Sequence, residues 1–334
     1  MANHLQYLAQ TNIVSKFFEI GFSKIFTTLL SIVRFYVHIF SDNVINKTFN
    51  LQEKRFNMNY SVQPNDMCTP QKNSTNEFID LKSFMRVLDA RDAKKLEQKG
   101  WHAMGEQGFD LTYVPSDNPI KNWLRYRCRY YLLSDQFDCD RCDAVKETYK
   151  ELWPQAFAEG QTNKYTGDTM CSFWTTYKQA LFLTTGKKFC RGDEQQLLKD
   201  FDEYAVNDDP DLKEFAYLTH TIGNLIIVPS GFNTGRYPAT KDYWDITLEK
   251  FYKEKQHIDF ASMVEGSVGD LHLEDWFDEG TIDGNVKMLF TNHSSAHLMP
   301  NTEDEIARCV RAMNDRIKKR GRKLTRILDN LNKN

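Results

Sequence analysis

The sequence predicts a mainly α protein of α+β class, a helical domain with a small strand-loop-helix element. Three observations predict it. Aromatic residues make up 13% of the 334 positions, and most apolar side chains recur at three-to-four spacing, the period of a helix that buries one face. Glycine (16) and proline (9) are scarce, too scarce for a many-turned sheet. Runs that read as strand are few: Phe109 to Val114, and the buried-looking Leu225 to Val228. With 27% charged residues and this aromatic content the chain is not disordered. A net charge of −3 excludes a surface coated throughout for nucleic acid, while leaving room for a local basic patch. Seven scattered cysteines, an odd number, do not form a secreted disulfide framework, so a cytoplasmic location is expected.

Residues 1–57 form an amphipathic extension. Polar residues Lys16, Ser23, Lys24, Thr27, Ser31, Arg34 and His38 share one helical face, and Phe18, Phe22, Ile25, Leu29, Ile32 and Val33 share the other. Its longest charge-free run, Ile25 to Val33, is far too short for a bilayer, so no integral membrane insertion is expected. The helix is expected to cover the protein's own core, with a membrane surface or a partner as alternatives, and Met58 is an alternative start. Residues 58–76, rich in Ser, Thr, Asn, Gln and Pro, read as a polar linker. The principal helical domain spans 77–301, with helical spacing at Phe78, Leu81, Phe84, Met85 and Leu88, then at Trp123, Tyr126, Tyr130 and Leu133, and a break at Pro154. Cys139 and Cys142 form one C-x-x-C, but no second pair completes a zinc site.

The polar loop from Gly160 to Asp168 opens into a helix that Gly186 closes. Asp168 reads as the N-cap of that helix, or, beside a second ligand, as a metal site or general base. An acidic helix follows near Glu194 to Ala205. Asp209 and Pro210 then start another helix, with Leu212, Phe215, Ala216 and Ile222 on one side. Gly223 is expected to stop it in a left-handed conformation, after which Leu225 to Val228 forms the strand. A turn-forming loop carries Asn233 and Arg236, and a helix resumes from Asp242.

The stretch His220-Thr-Ile-Gly-Asn-Leu-Ile-Ile-Val228, with Asn233 and Lys241 downstream, resembles part of the HNH-like nuclease domain of GmrSD-type restriction endonucleases. Together with Lys164 to Met170 it also resembles a bacterial family of uncharacterised proteins, a likeness that carries no activity. The nuclease resemblance implies catalytic roles for His220, Asn224 and Asn233, substrate contacts at Arg236 and Lys241, and a divalent metal such as Mg held by Asp168 and His220. It implies phosphodiester hydrolysis on nucleic acid. The His-x-x-Pro segment that this family carries ahead of the block has no counterpart: His102 is the only histidine between 100 and 219, and His297-Leu-Met-Pro300 lies after the block. That departure points to a degenerate relative. Each residue also has a structural reading, His220 as a helix-end donor and Asn224 as a turn residue. A non-enzymatic helical interaction protein is therefore the alternative.

Residues 302–334 form a basic C-terminal helix. Thr302 to Glu305 is a capping box, and Ile306, Val310, Met313, Ile317, Leu324, Leu328 and Leu331 form its apolar stripe. Arg316, Lys319 and Arg322 are its candidate contacts to DNA or RNA, and Gly321 is expected to kink it. Its stripe could equally dock on the domain or on a second copy, making a homo-oligomer.

Overall fold

The computed structural model describes residues 71–72, 75, 77, 79–80, 117–133, 143–161, 163–290 and 298–333, all within a unit that runs from Pro64 to Asn334. The amphipathic extension, the apolar positions Phe78, Leu81, Phe84, Met85 and Leu88 of the expected helix, the strand expected at 109–114, Cys139, Cys142 and His297 lie outside the described residues. The structure is mainly α, as the sequence predicts. Strand β1 (Gln71–Lys72), inside the expected linker, pairs antiparallel with β2 (Ile79–Asp80), two residues that are extended where helical spacing was read from Phe78 onward.

Two helices open the bundle, α1 (Pro119–Leu133) and α2 (Asp143–Leu152). The latter ends before Pro154, which starts a 3-10 turn in place of an unfillable helical hydrogen bond. Strand β3 (Tyr165–Thr169) leads to α3 (Phe173–Thr185), where Ser172, not Asp168, accepts from the Thr175 amide as N-cap. Gly186 closes α3 with a φ of 71°, as its spacing predicts. After α4 (Glu194–Lys199), Asp209 caps α5 (Pro210–Leu218) through the Leu212 amide at 2.8 Å. Strand β4 (Leu225–Pro229) is buried throughout and pairs antiparallel with β3, Asp168 opposite Ile226.

The segment expected to be a loop is a helix, α6 (Phe232–Thr240). Pro238 lies inside it and leaves the Thr234 carbonyl without an intrahelical amide. Two helices that relax into π turns follow: α7 (Trp244–Thr247, continuing through Lys253) and α8 (Ile258–Ser262, continuing through Ser267). Last comes α9 (Glu303–Leu331), 29 residues long, opened by its capping box with Thr302 accepting from the Glu305 amide.

Helix α9 belongs to the core of the unit. Ile306, Val310, Met313, Ile317, Leu324 and Leu328 are buried against α5, α3 and the turn before β4, while Leu331 emerges half-exposed. Neither glycine expectation holds. Gly223 lies in a 3-10 turn (Ile222–Asn224) without a positive φ, and α9 runs unbroken through Gly321. Gly223 serves a crossing with α9 instead. A Cβ on Gly223 would stand 2.0 Å from the Ile317 carbonyl oxygen and 2.8 Å from the Gly321 nitrogen. Only hydrogen at Gly223 lets the backbones approach this closely.

Candidate functional site

Strand β3, strand β4 and helix α6 follow one another in space as strand, strand, helix, and the predicted residues gather where they meet. Asn233 and Arg236 stand three residues apart on α6 and so share one face. Both reach the Asp168 carboxylate on β3: Asn233 Nδ2 donates to Oδ1 at 3.2 Å, and Arg236 Nη1 donates to Oδ2 at 2.5 Å. Arg236 also donates to the carbonyls of Thr169 at 3.0 Å and Met170 at 2.5 Å, with its guanidinium 5.0 Å from the Trp244 ring centre. Arg236 is therefore a buried tie between α6 and the end of β3, not an outward contact for substrate. Burial pushes the Asp168 carboxyl above its usual value, and the Arg236 charge opposes that rise. Asn233 is exposed, and Lys241 is half-buried with its ammonium 5.0 Å over the Tyr237 ring. Lys241 and Asp242 both take positive φ, 52° and 62°, to end α6. Asp242 then accepts from the Thr175 hydroxyl at 3.1 Å.

The other two catalytic expectations fall elsewhere. Asn224 is completely buried, and its amide copies the pairing of a strand. Oδ1 accepts from the Cys171 amide at 2.9 Å, while Nδ2 donates to the carbonyls of Cys171 at 3.1 Å and Thr219 at 3.0 Å. It thereby continues the β3–β4 ladder one step past Thr169 and Leu225, where the main chain has already turned into the 3-10 segment. His220 is buried with its ring edge-on to Tyr126 at 4.4 Å. Asn224 is thus spent on the backbone, and His220 is packed inside the unit.

The C-terminal contacts divide in the same way. Arg316 is buried with its guanidinium 4.5 Å from the Trp276 ring centre, so it does not face a ligand. Lys319 pairs with Asp315 at 2.8 Å and approaches Asp275 at 3.9 Å, and Arg322 lies 3.7 Å from Glu77. Lys318 reaches Glu214 at 2.7 Å, Arg311 reaches Asp211 at 3.1 Å, and Lys323 pairs with Glu274. Much of the basic character read from the sequence is answered by this unit's own acidic side chains.

Sequence reading places Arg320 with the basic outer residues of α9, and the structure turns it inward as a structural tie. Arg320 is buried, and it donates to the carbonyls of Leu271 at 3.0 Å, Gly223 at 2.9 Å and Leu225 at 2.7 Å. Burial lowers its pKa to about 10. Its place in the stripe, three residues after Ile317 and four before Leu324, is the signal that marks it as inward-facing.

A divalent ion needs several open oxygen or nitrogen ligands converging on one point. Asp168 and His220 do not offer such a set. Both carboxylate oxygens of Asp168 already accept from Asn233 and Arg236, and a fixed guanidinium occupies the place a cation would take. Among the described residues, the group of three with metal-ligand chemistry lies elsewhere, at Asp270, His272 and Glu274. There the Lys323 ammonium sits on Glu274, and desolvation lowers the His272 pKa to about 4. Among the described residues, no helix is long and apolar enough to cross a membrane, and Cys128, Cys171, Cys190 and Cys309 are free thiols. No family model, no curated protein and no solved structure matches this chain.

Proposed function

We propose that the chain is a non-enzymatic helical protein that acts through its surface, and that its 219–241 block is a structural relative of the HNH-like element in which the site has become a brace. The observation that carries this reading is the closed state of the polar residues. Asp168 is neutralised by a buried arginine, and Asn224 is saturated by backbone groups. A cytoplasmic location agrees with the free thiols of the described cysteines.

The competing reading is a metal-dependent phosphodiesterase on DNA or RNA. Its support is the strand-strand-helix order and the meeting of Asp168 with Asn233. The basic outer face of α9 adds little to that reading, because its ion pairs leave less charge for phosphate.

A nuclease assay on single-stranded and duplex substrates, with Mg and Mn in turn, tests the proposal on the full chain and on Asp168→Asn. Equal background in both supports the brace. Metal-dependent cleavage by the parent chain, lost in a folded Asp168→Asn variant, overturns it.

A further inference from the structure

Helix α8 is opened by an imidazole. The His257 backbone is extended at the N-cap position, and its Nδ1 accepts from the Phe260 amide at 3.2 Å. The other side-chain caps among the described residues are the oxygens of Ser172, Asp209 and Thr302. Such oxygens keep a lone pair at ordinary pH, whereas an imidazole nitrogen accepts only while it carries no proton. The Phe260 amide therefore selects the neutral tautomer with its hydrogen on Nε2. Imidazolium donates from both nitrogens, which sets one N–H against another and places a cation at the start of a helix.

The surroundings fix the ring and leave its charge unanswered. Its centre lies 5.5 Å from that of Phe232 and 5.7 Å from that of Phe251. On α8 itself Asp259 is exposed, and Glu265 in the π continuation pairs with Lys255. On and just after α7, Lys250 donates to the Ala239 carbonyl at 3.2 Å, Lys253 donates to the Ile282 carbonyl at 2.7 Å, and Glu254 accepts from the Gln256 side chain. On α6, Arg236 is committed to Asp168, and β4 carries no titratable side chain. Among the described residues no ion pair joins the His257 ring to any of these groups.

What the cap holds is a junction of the core. Phe260 is completely buried, with its ring 4.8 Å from Phe232 and 5.8 Å from Trp244. Phe232 is the first residue of α6, the helix whose Arg236 ties to Asp168. Ile258, between the cap and Phe260, is 75% exposed, so the first turn of α8 relies on the cap and on Phe260. We infer that His257 is an acid-sensitive clasp: a proton gained at Nδ1 opens the first turn of α8 and loosens Phe260 from the start of α6. The clasp is closed in the neutral form and open in the charged one, and imidazole is the side chain whose charge changes nearest neutral pH.

Nitrogen-resolved NMR on the full chain tests the clasp. Couplings within the His257 ring should place the hydrogen on Nε2 while the ring is neutral. Titration from about pH 8 to about pH 5 should then lower the exchange protection of the Phe260 amide as the ring gains its proton. The expected loss is about fivefold, the effect of removing one helix cap. The Glu305 amide, capped by the Thr302 oxygen, is the internal reference, and its protection should not follow the ring. His257→Asn supplies a cap that does not titrate, so this variant, checked for folding by circular dichroism, should keep Phe260 protected across the range. A hydrogen on Nδ1 of the neutral ring, Phe260 protection indifferent to the ring's titration, or the same pH dependence in His257→Asn overturns the inference. So does loss of protection at Phe260 and Glu305 in step, which reports unfolding of the whole unit. Where the variant does not fold, the tautomer and the comparison of Phe260 with Glu305 in the parent chain decide.

Discussion

Two regions of α9 use the same residue types to opposite effect. On its inner face, Arg320 reaches the carbonyls of Leu271, Gly223 and Leu225 in a space closed to water, beside the crossing of Gly223 with Gly321. On its outer face, Lys319 and Arg322 meet carboxylates at the surface. Water decides the difference. A buried donor has no alternative partner, so losing its acceptors carries the full desolvation penalty, whereas an exposed ammonium exchanges a carboxylate for water at little net change.

Several substitutions should break or sharpen that contrast. The largest effect is expected at the crossing, where Gly223→Ala places a methyl group against the α9 backbone. Neither backbone can yield without shifting α9, and a loss of ~3 kcal/mol in urea unfolding is expected. Arg320→Met should follow with a loss of about 2–3 kcal/mol, because buried carbonyls lose their donor while the volume is kept. Asn224→Ala, which removes three hydrogen bonds at the end of the β3–β4 ladder, should cost about 2 kcal/mol. A nuclease assay on these variants adds a second readout, with no change in background expected.

A fourth prediction concerns pH. Asp245 is completely buried and accepts from the Leu289 amide at 2.7 Å, and burial pushes its carboxyl up to about 6. Its unfolded value is about 3.9. Between those values the folded state holds the proton more tightly, so this group's contribution to stability is full below about pH 4 and is lost as pH rises through 6. His272, lowered to about 4, works in the opposite direction, adding stability as pH rises from 4 towards its unfolded value. The comparison of the parent chain with Asp245→Asn isolates the first effect: between pH 4 and 6 the variant's stability should rise relative to the parent's. Asn keeps an oxygen for the Leu289 amide. Equal pH slopes in the two proteins would exclude a buried titrating carboxyl at this position.

The smallest change is expected on the outer face. Lys319→Ala and Arg322→Ala should each alter stability by less than about 0.5 kcal/mol. Retention of the full chain on a nucleic-acid column at low salt should change little as well. A large drop in either measurement would mean that the surface pairs act as a network.

Much of the helical framework was legible in the sequence because its signals are local. Asp209 with Pro210, Gly186, Pro154 and the Thr302 to Glu305 box each act within one turn of chain, and each does in the structure what its spacing predicts. Leu225 to Val228 was legible as strand for a related reason, since an unbroken apolar run between turns has few other homes. Asp168 was misread because an acidic residue just ahead of an apolar helix matches a cap. The cap falls to Ser172 because β3 pairs with β4 and carries Asp168 into the sheet. Segment 232–240 looked like a turn from its Asn, Gly and Pro, yet it is helical. Phe232 is buried beside Trp244, and Arg236 is tied to Asp168, so packing overrides weak propensity.

The sequence by itself determined the fold class, the strand at 225, the caps at Gly186, Asp209 and Thr302 and the inward stripe of α9, because periodicity and capping are read over three or four residues. Tertiary structure alone decided which polar residues are available for chemistry. Asn224 is joined to Cys171, Arg236 to Asp168, and Arg320 to the 223–225 turn by contacts between residues some 50 to 100 positions apart. Whether an asparagine or arginine is free to act depends on who stands opposite it once water has been excluded, and that partner lies too far along the chain for spacing to reveal.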